Sequence, residues 1–219
     1  MDVAGSVLAL TVLLPLLPLV ALAIRLDSRG PVFYRARRVG RTGRCFGMWK
    51  FRTMLADADT LPGAVNITDD DYRVTRVGRP LRRYKINELP QFINVLVGDM
   101  SLVGPRPEIE HYVRQLTASE RQILDVRPGL IDWATLRYSN VGALLASGDD
   151  PDRVYEDTIR PEIVRTQLAY VQTWSLAQDV QILVAGVHQL LLNPLARRLA
   201  ILSGRRPGPE DASRVPPAL

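Results

Sequence analysis

The stretch VAGSVLALTVLLPLLPLVALAI, residues 3–24, decides the class of this fold. It contains 22 positions without a charged residue. A straight helix of that length measures about 33 Å, close to the roughly 30 Å hydrocarbon core of a bilayer. The stretch lacks a basic start and is longer than the apolar core of a cleaved signal peptide. We therefore expect residues 1–25 to form a retained membrane helix.

Two prolines interrupt this stretch near its middle. Pro15 and Pro18 each lack a backbone donor and clash with the preceding turn, so the helix is expected to bend there. The residues alone leave two topologies open: a kinked span, or a re-entrant hairpin with both ends on one face. The arginine-rich segment 35–44 favours a cytoplasmic location for the rest of the chain.

The composition limits the remaining chain to one domain with appendages. Its 219 residues carry 28 Lys and Arg against 23 Asp and Glu, and arginines gather in segments 35–44 and 79–83. The single Cys45 excludes an internal disulfide and a cysteine-rich metal site. Basic and aromatic residues are not interleaved as on a base-stacking surface, so we expect no nucleic-acid partner.

The soluble pattern after residue 25 predicts an α+β fold that is mostly helical with a small β-hairpin. Segments 31–34 and 46–51 are typical of its two strands. A helix followed by a polar loop is predicted at 55–71. Segment 79–97 is compatible with a helix that Pro90 bends or restarts.

The C-terminal half predicts helices at 108–126 and 161–174. Residues 180–191 have helical spacing, which is compatible with a core helix or with an amphipathic helix at the membrane interface. The tail 204–219, rich in Pro, Gly and charge, is expected to be disordered. The predicted domains are therefore 1–25, 26–203 and 204–219.

The segment NELPQFINVLVGDMSLVGPRPE, residues 87–108, concentrates the residues most suited to chemistry. Its glycines permit close backbone approach to a ligand, and flanking prolines fix the direction of Arg106, which suits a phosphate oxygen. Glu88 could hold a divalent cation such as Mg²⁺. Equally, Glu88 and Asp99 could cap helices or pair with arginines.

This segment and four others resemble, in order, the motifs of the bacterial sugar transferases, the monotopic phosphoglycosyl transferases typified by the undecaprenyl-phosphate sugar-phosphate transferases. The five matching segments are DSRGPVFY at 27–34, RVG at 38–40, WKFRTM at 49–54, GDMSLVGPRPE at 98–108 and RPG at 127–129. The resemblance covers nearly the whole chain.

The resemblance implies a monotopic enzyme on the cytoplasmic face of the bacterial inner membrane, with a re-entrant first helix and interfacial amphipathic helices. It implies transfer of a sugar-1-phosphate from a nucleotide diphosphate-sugar to polyprenyl phosphate, with Mg²⁺ as cofactor. Such transfer would initiate synthesis of exopolysaccharide, O-antigen or capsule. These motifs do not specify the sugar. A homodimer is compatible with the sequence, and a preceding N-terminal segment is equally compatible.

The resemblance also implies site residues. Glu88 matches the metal-associated carboxylate, and Arg106 matches a phosphate-binding arginine. Substrate or phosphate contact is predicted for further residues in matching motifs: Lys50, Arg52, Asp99 and Arg127.

One position departs from the family pattern. The family uses an Asp-Glu pair whose Asp is the nucleophile, whereas this chain has Asn87 before Glu88. A neutral carboxamide is a far weaker nucleophile than a carboxylate. Three interpretations remain open: a variant that uses direct lipid-phosphate attack or Glu88 as nucleophile, a silent binding relative, or a trapping substitution.

Overall fold

The computed structural model of the protein describes residues 1–63, 65–68, 71–139, 141, 145 and 150–202. In these ranges the helices are α1 (Asp2–Leu13), α2 (Leu16–Asp27), α3 (Gly78–Arg83), α4 (Gln91–Leu96), α5 (Glu110–Arg114), α6 (Trp133–Arg137), α7 (Pro151–Val154), α8 (Arg160–Thr173) and α9 (Leu176–Leu202). The strands are β1 (Phe33–Val39), β2 (Cys45–Phe51), β3 (Ser101–Val103) and β4 (Gly129–Ile131). The fold is α+β and mostly helical, as predicted.

The predicted hairpin is present and is longer than expected. Strands β1 and β2 pair antiparallel from Phe33 opposite Phe51 to Val39 opposite Cys45. The first strand was predicted to end at residue 34, but it continues through the arginine-rich segment. This segment can pair as a strand because Ala36 and Val39 are buried between its arginines.

A second small sheet, absent from the sequence prediction, joins two short segments that are far apart in the chain. Strands β3 and β4 pair in parallel, with Ser101 opposite Gly129 and Val103 opposite Ile131. The main core lies between this sheet, the hairpin and the last helices. Its buried members are Ala36, Met48, Val95, Met100, Leu102, Val103, Leu136, Tyr170 and Ile182.

Helices α1 and α2 form a bent pair whose two ends contact the same folded body. The Asp2 carboxylate accepts hydrogen bonds from Ser101 Oγ at 3.0 Å and Leu102 N at 3.1 Å. At the other end, Asp27 Oδ2 accepts one from Val77 N at 2.9 Å. Val20 and other apolar residues of α2 pack in a separate buried cluster with residues of β2 and α3.

The apolar stretch at the start of the chain forms two helices that meet at a bend, not one straight helix. Among the described residues, none of the helices alone is long and apolar enough to cross a membrane, but α1 and α2 together pass that test and are bent by 62°. Pro15 is the N-cap of α2. The predicted break at the prolines is therefore confirmed.

Several helices are shorter than predicted. Segment 55–71 was predicted to begin with a helix, but the first helical element of its described residues is the 3-10 turn Ala58–Thr60. Segment 79–97 is divided into α3, a 3-10 turn and α4, because Lys85 takes a left-handed φ of 58° and Pro90 starts α4. Segment 108–126 is also divided, between α5 and the 3-10 turn Glu120–Asp125.

The last two helices agree better with the sequence. Helix α8 coincides with the predicted helix 161–174 to within a residue. Helix α9 buries Ile182 in the main core but exposes apolar side chains on another face, and these are Leu176, Val180, Val184 and Val187. It therefore has both a core side and an unpartnered apolar side. The tail 204–219, predicted to be disordered, lies outside the described residues.

Candidate phosphate-binding site

Three elements bring three charged residues together. Lys50 lies on β2, Glu88 ends the 3-10 turn Ile86–Glu88, and Arg106 lies in the Pro-Arg-Pro loop after β3. Arg106 donates from Nη2 and Nη1 to the two oxygens of Glu88, at 2.5 and 3.2 Å. Lys50 Nζ lies 3.7 Å from Glu88 Oε1, and the Lys50 and Glu88 side chains are each 17% exposed. One carboxylate thus pairs with two cations.

The electrostatics of this cluster follow from burial and from the excess of positive charge. Burial opposes the charged form of Glu88, but Arg106, Lys50 and Lys85 outweigh it and hold the pKa of this carboxyl well below its ordinary value. Burial also lowers the pKa of Lys50 to about 7, although Glu88 opposes that shift. The charge of Glu88 raises the pKa of Arg106.

Further cations surround this pair of interactions. Arg38 and Arg82 lie near enough to depress the pKa of Lys50, and Lys85 acts on Glu88. Burial lowers the pKa of Arg38, and the charge of Glu108 opposes that change. Lys50 and Arg106 share the single carboxylate of Glu88, and two cations on one carboxylate keep a surplus of positive charge that suits a phosphate anion.

Two buried carboxamides adjoin the cluster along the chain. Asn87 is 6% exposed, and its Oδ1 has no hydrogen-bond partner among the described atoms. Gln91 is fully buried, and both polar atoms of its side chain also lack one. Buried polar groups are normally satisfied, so these atoms have unused capacity for water or a ligand. Only Asn87 was singled out from the sequence.

The Pro-Arg-Pro loop is held from behind by Asp132. This carboxylate is 1% exposed and accepts from Arg106 N at 3.0 Å and from Gln167 Nε2 at 2.8 Å. Its other oxygen accepts from Thr135 N, which caps α6. Asp132 was not predicted as a site residue, because its sequence signal is only that of a helix cap.

The other predicted contacts lie apart from Glu88. Arg52 donates to Ser28 and to the backbone oxygens of Pro31 and Met54, and so joins the end of α2 to β2. Asp99 lies beyond α4 and accepts from Asn94 Nδ2 at 3.3 Å.

Arg127 is placed differently again. It lines a cavity together with Asp2, Arg41 and Trp174. The structure therefore brings together Lys50, Glu88 and Arg106 but not Arg52, Asp99 or Arg127, whose substrate contacts stay predictions.

The residues at Glu88 fit a magnesium ion only in part. No group of three or more His, Cys, Asp or Glu side chains in the described ranges is arranged to hold a metal. Magnesium in phosphoryl-transfer sites commonly takes one or two carboxylates together with substrate phosphates and water. Glu88 supplies one carboxylate, and the unpartnered Oδ1 of Asn87 is a second hard oxygen.

Two cations that share one carboxylate, one of them on a Pro-Arg-Pro loop, define a candidate phosphate-binding class of protein. The sequence comparison agrees with this class. Residues 1–193 match the family described as bacterial sugar transferase, and the chain belongs to that family.

Individual proteins of known name are similar to this chain over most of its length. An undecaprenyl-phosphate glucose phosphotransferase of Komagataeibacter xylinus is 41% identical over 192 residues, covering 83% of this chain and 33% of the relative. A UDP-glucose:undecaprenyl-phosphate glucose-1-phosphate transferase of Caulobacter vibrioides is 39% identical over 198 residues, covering 87% and 68%.

A third relative names a different sugar. The UDP-N-acetylgalactosamine-undecaprenyl-phosphate N-acetylgalactosaminephosphotransferase of Aeromonas hydrophila is 38% identical over 196 residues, covering 87% of this chain and 43% of the relative. The chain thus spans less than half the length of two of these three relatives.

Proposed function

We propose that this chain transfers a sugar-1-phosphate from a nucleoside diphosphate-sugar to undecaprenyl phosphate or a similar polyprenyl phosphate. The observation that carries the proposal is the cation surplus around Glu88. A nucleoside diphosphate and a lipid phosphate bring several negative charges to one place, and the reaction spreads charge over phosphoryl oxygens. Lys50 and Arg106 would bind those oxygens, and the names of the relatives support this substrate class.

In the proposed complex, Glu88 would hold Mg²⁺, since a single carboxylate commonly holds this ion beside substrate phosphates. The ion supplies neutralisation of the charge on the leaving nucleotide. Arg106 currently occupies both oxygens of Glu88. It would therefore share or release one of them when substrate and metal bind.

The proposed location is the cytoplasmic face of the bacterial inner membrane, with α1 and α2 as a re-entrant hairpin. Support comes from the two ends of the pair, since Asp2 and Asp27 both bond to the same folded body. A helix that crossed the bilayer would place these ends on opposite faces. The exposed apolar side of α9 would rest in the same interface.

The test is release of nucleoside monophosphate in lipid nanodiscs that contain undecaprenyl phosphate, Mg²⁺ and, in turn, UDP-glucose, UDP-galactose and UDP-N-acetylgalactosamine. We expect turnover with at least one donor, abolished by EDTA and strongly reduced by Glu88→Gln. Arg165→Ala removes an exposed charge remote from Glu88 and is the matched control. Donor binding without turnover of any donor would instead identify a silent relative.

A further inference from the structure

We infer that this chain transfers the phosphosugar by direct attack of the lipid phosphate on the donor, without a covalent phosphosugar-enzyme intermediate, and that Glu88 is a positioning residue for Arg106. The inference rests on the proposed function and deepens it. A covalent route needs a free nucleophilic side chain at the phosphate-binding cluster of Lys50, Glu88 and Arg106.

Residue 87 does not supply that nucleophile. Asn87 presents a neutral carboxamide, and its side chain is buried. The amide oxygen carries no formal charge, so it is a much weaker nucleophile than a carboxylate and is poorly suited to displace a nucleotide. Its free Oδ1 is better suited to accept a hydrogen bond or to contact a cation.

Glu88 is a carboxylate, but its two oxygens are already used. Arg106 engages both in a fork geometry, and Lys50 lies beside one of them. A bidentate arginine pair fixes a carboxylate in one plane and is among the stronger protein hydrogen-bonding arrangements. Even where Glu88 shares one oxygen with Mg²⁺, the other stays with Arg106, so neither oxygen is free to attack phosphorus. The same pair instead fixes the direction of Arg106 before substrate arrives.

The other carboxylates near Arg106 are also engaged. Asp132 accepts from two backbone amides and Gln167. Glu108 accepts through Oε1 from the hydroxyl of Tyr155 at 2.7 Å, and among the described residues no hydrogen bond or ion pair joins its side chain to Lys50, Glu88 or Arg106. In the described part of the chain, Lys50, Glu88 and Arg106 form no hydrogen bond or ion pair with a Ser, Cys or His side chain. The acceptor lipid phosphate is then the remaining nucleophile in the proposed reaction.

The direct step balances without a proton from the protein. A non-bridging oxygen of the polyprenyl phosphate forms a bond to the β-phosphorus of the donor. The bond between that phosphorus and the bridging oxygen breaks, and its electron pair leaves with the nucleoside monophosphate. Both substrates must be bound together, so the cluster must face two phosphorylated ligands at once. Its cation surplus fits that requirement.

Isotope exchange separates the two routes. Labelled UMP is incubated with the UDP-sugar that supports turnover, Mg²⁺ and the nanodisc-bound protein, with undecaprenyl phosphate omitted. A covalent intermediate would return the label to UDP-sugar, whereas direct attack predicts no exchange above a protein-free control. Initial rates with both substrates varied should give intersecting lines, the pattern of a ternary complex.

Asn87→Asp is the matched variant, since it adds a carboxylate of nearly the same size and should acquire exchange. Exchange by the unaltered chain, or parallel lines in its initial rates, would overturn direct attack but leave the proposed function standing. No product from the unaltered chain, with product from Asn87→Asp, would overturn both, because it would show that the reaction requires a carboxylate at this position.

A positioning role for Glu88 has its own readout. Glu88→Gln keeps an oxygen for Arg106 but loses the charge, while Glu88→Ala leaves Arg106 unfixed. We expect the donor KM to rise in Glu88→Ala beyond its value in Glu88→Gln, with kcat depressed in both. A label from the sugar donor trapped covalently on Glu88 in the unaltered chain would contradict this role.

Discussion

The contacts of Arg106 depend on the planar, forked shape of its guanidinium group as much as on its charge. Its two terminal nitrogens meet the two oxygens of Glu88, and prolines lie on both sides of it in the chain. Lysine offers one compact ammonium group and cannot reproduce this geometry. Arg106→Lys keeps the positive charge but removes the forked group, so it separates the effect of geometry from that of charge.

We expect Arg106→Ala to lower kcat about 10²–10³-fold, the usual cost of removing one preorganised donor from a charged transition state. Arg106→Lys should recover only a small part of this loss. The measurement is the initial rate of nucleotide release under saturating donor, with Arg165→Lys as the control of equal charge. Full activity of Arg106→Lys would contradict a requirement for the fork.

Asp132 stabilises the loop that carries Arg106 through several buried hydrogen bonds. It is buried and accepts hydrogen bonds from the Pro-Arg-Pro loop, from α6 and from α8. Asp132→Ala would leave these donors unpaired, and one orphaned buried donor costs about 1–3 kcal/mol. We expect a lower melting temperature together with weaker donor binding, measured by thermal unfolding and by titration.

The exposed Asp157, whose side chain is 67% exposed, provides the comparison for that change. Asp157→Ala should leave the melting temperature nearly unchanged, because exposed ion pairs contribute little to stability. Equal destabilisation by both substitutions would mean that the buried contacts of Asp132 carry no special weight.

The residue-scale predictions from sequence depended on motif position. Lys50, Glu88 and Arg106 could be singled out because each lies in a matching segment, and the structure brings them together. Arg52 shows the limit of that reasoning, since its donors are directed to Ser28, Pro31 and Met54. Asp132 escaped notice because its contact with Arg106 joins residues 26 positions apart.

At the scale of elements, the parallel pair β3–β4 sets where the Pro-Arg-Pro loop begins. Gly104 and Gly129 lie so close that a Cβ on Gly129 would be 2.2 Å from Gly104 N. Backbone atoms cannot yield as the end of a long side chain can. The absence of a side chain at 129 therefore permits this strand pairing.

Gly129→Ala is accordingly expected to destabilise the protein by about 3 kcal/mol or more, at the upper end for overpacking. Gly98→Ala is the matched control, because a Cβ there meets nothing within 4 Å although φ is +84°. It should cost only about 1–2 kcal/mol of left-handed strain. Thermal unfolding of the two variants compares them, and a larger loss in Gly98→Ala would contradict this account.

Element boundaries were predicted well where local chemistry dominates and poorly where tertiary contacts decide. Helix α8 follows from its own sequence pattern, and the break in α1–α2 follows from prolines. Strand β1 extends through arginines because β2 offers it a partner along its full length. The parallel sheet joins short segments far apart in sequence, and such pairing has no local signal.

At the scale of the whole molecule, the sequence predicted a mostly helical α+β domain with a broken apolar helix, and these features are present. The sequence alone left the span and the hairpin open, because length and composition are the same for both. The added information is that Asp2 and Asp27 bond to one body. These contacts join residues far apart in sequence, so the sequence pattern could not predict them.

The hairpin topology can be tested by cysteine labelling, since the chain has a single exposed cysteine, Cys45, that can first be replaced by serine. Cysteines are then introduced singly at Val3 in the first turn of α1, at Leu14 between the two helices and at Arg29 after α2. A membrane-impermeant maleimide should label Val3→Cys and Arg29→Cys from the same side, in inside-out vesicles only. Leu14→Cys, at the tip, should be protected in both orientations because it lies in hydrocarbon.

A spanning helix would instead expose Val3→Cys in right-side-out vesicles, since about 33 Å of helix would separate it from Arg29. Because α1 would then have left Ser101 and Leu102, that result would also remove the contacts that hold its first turn on β3.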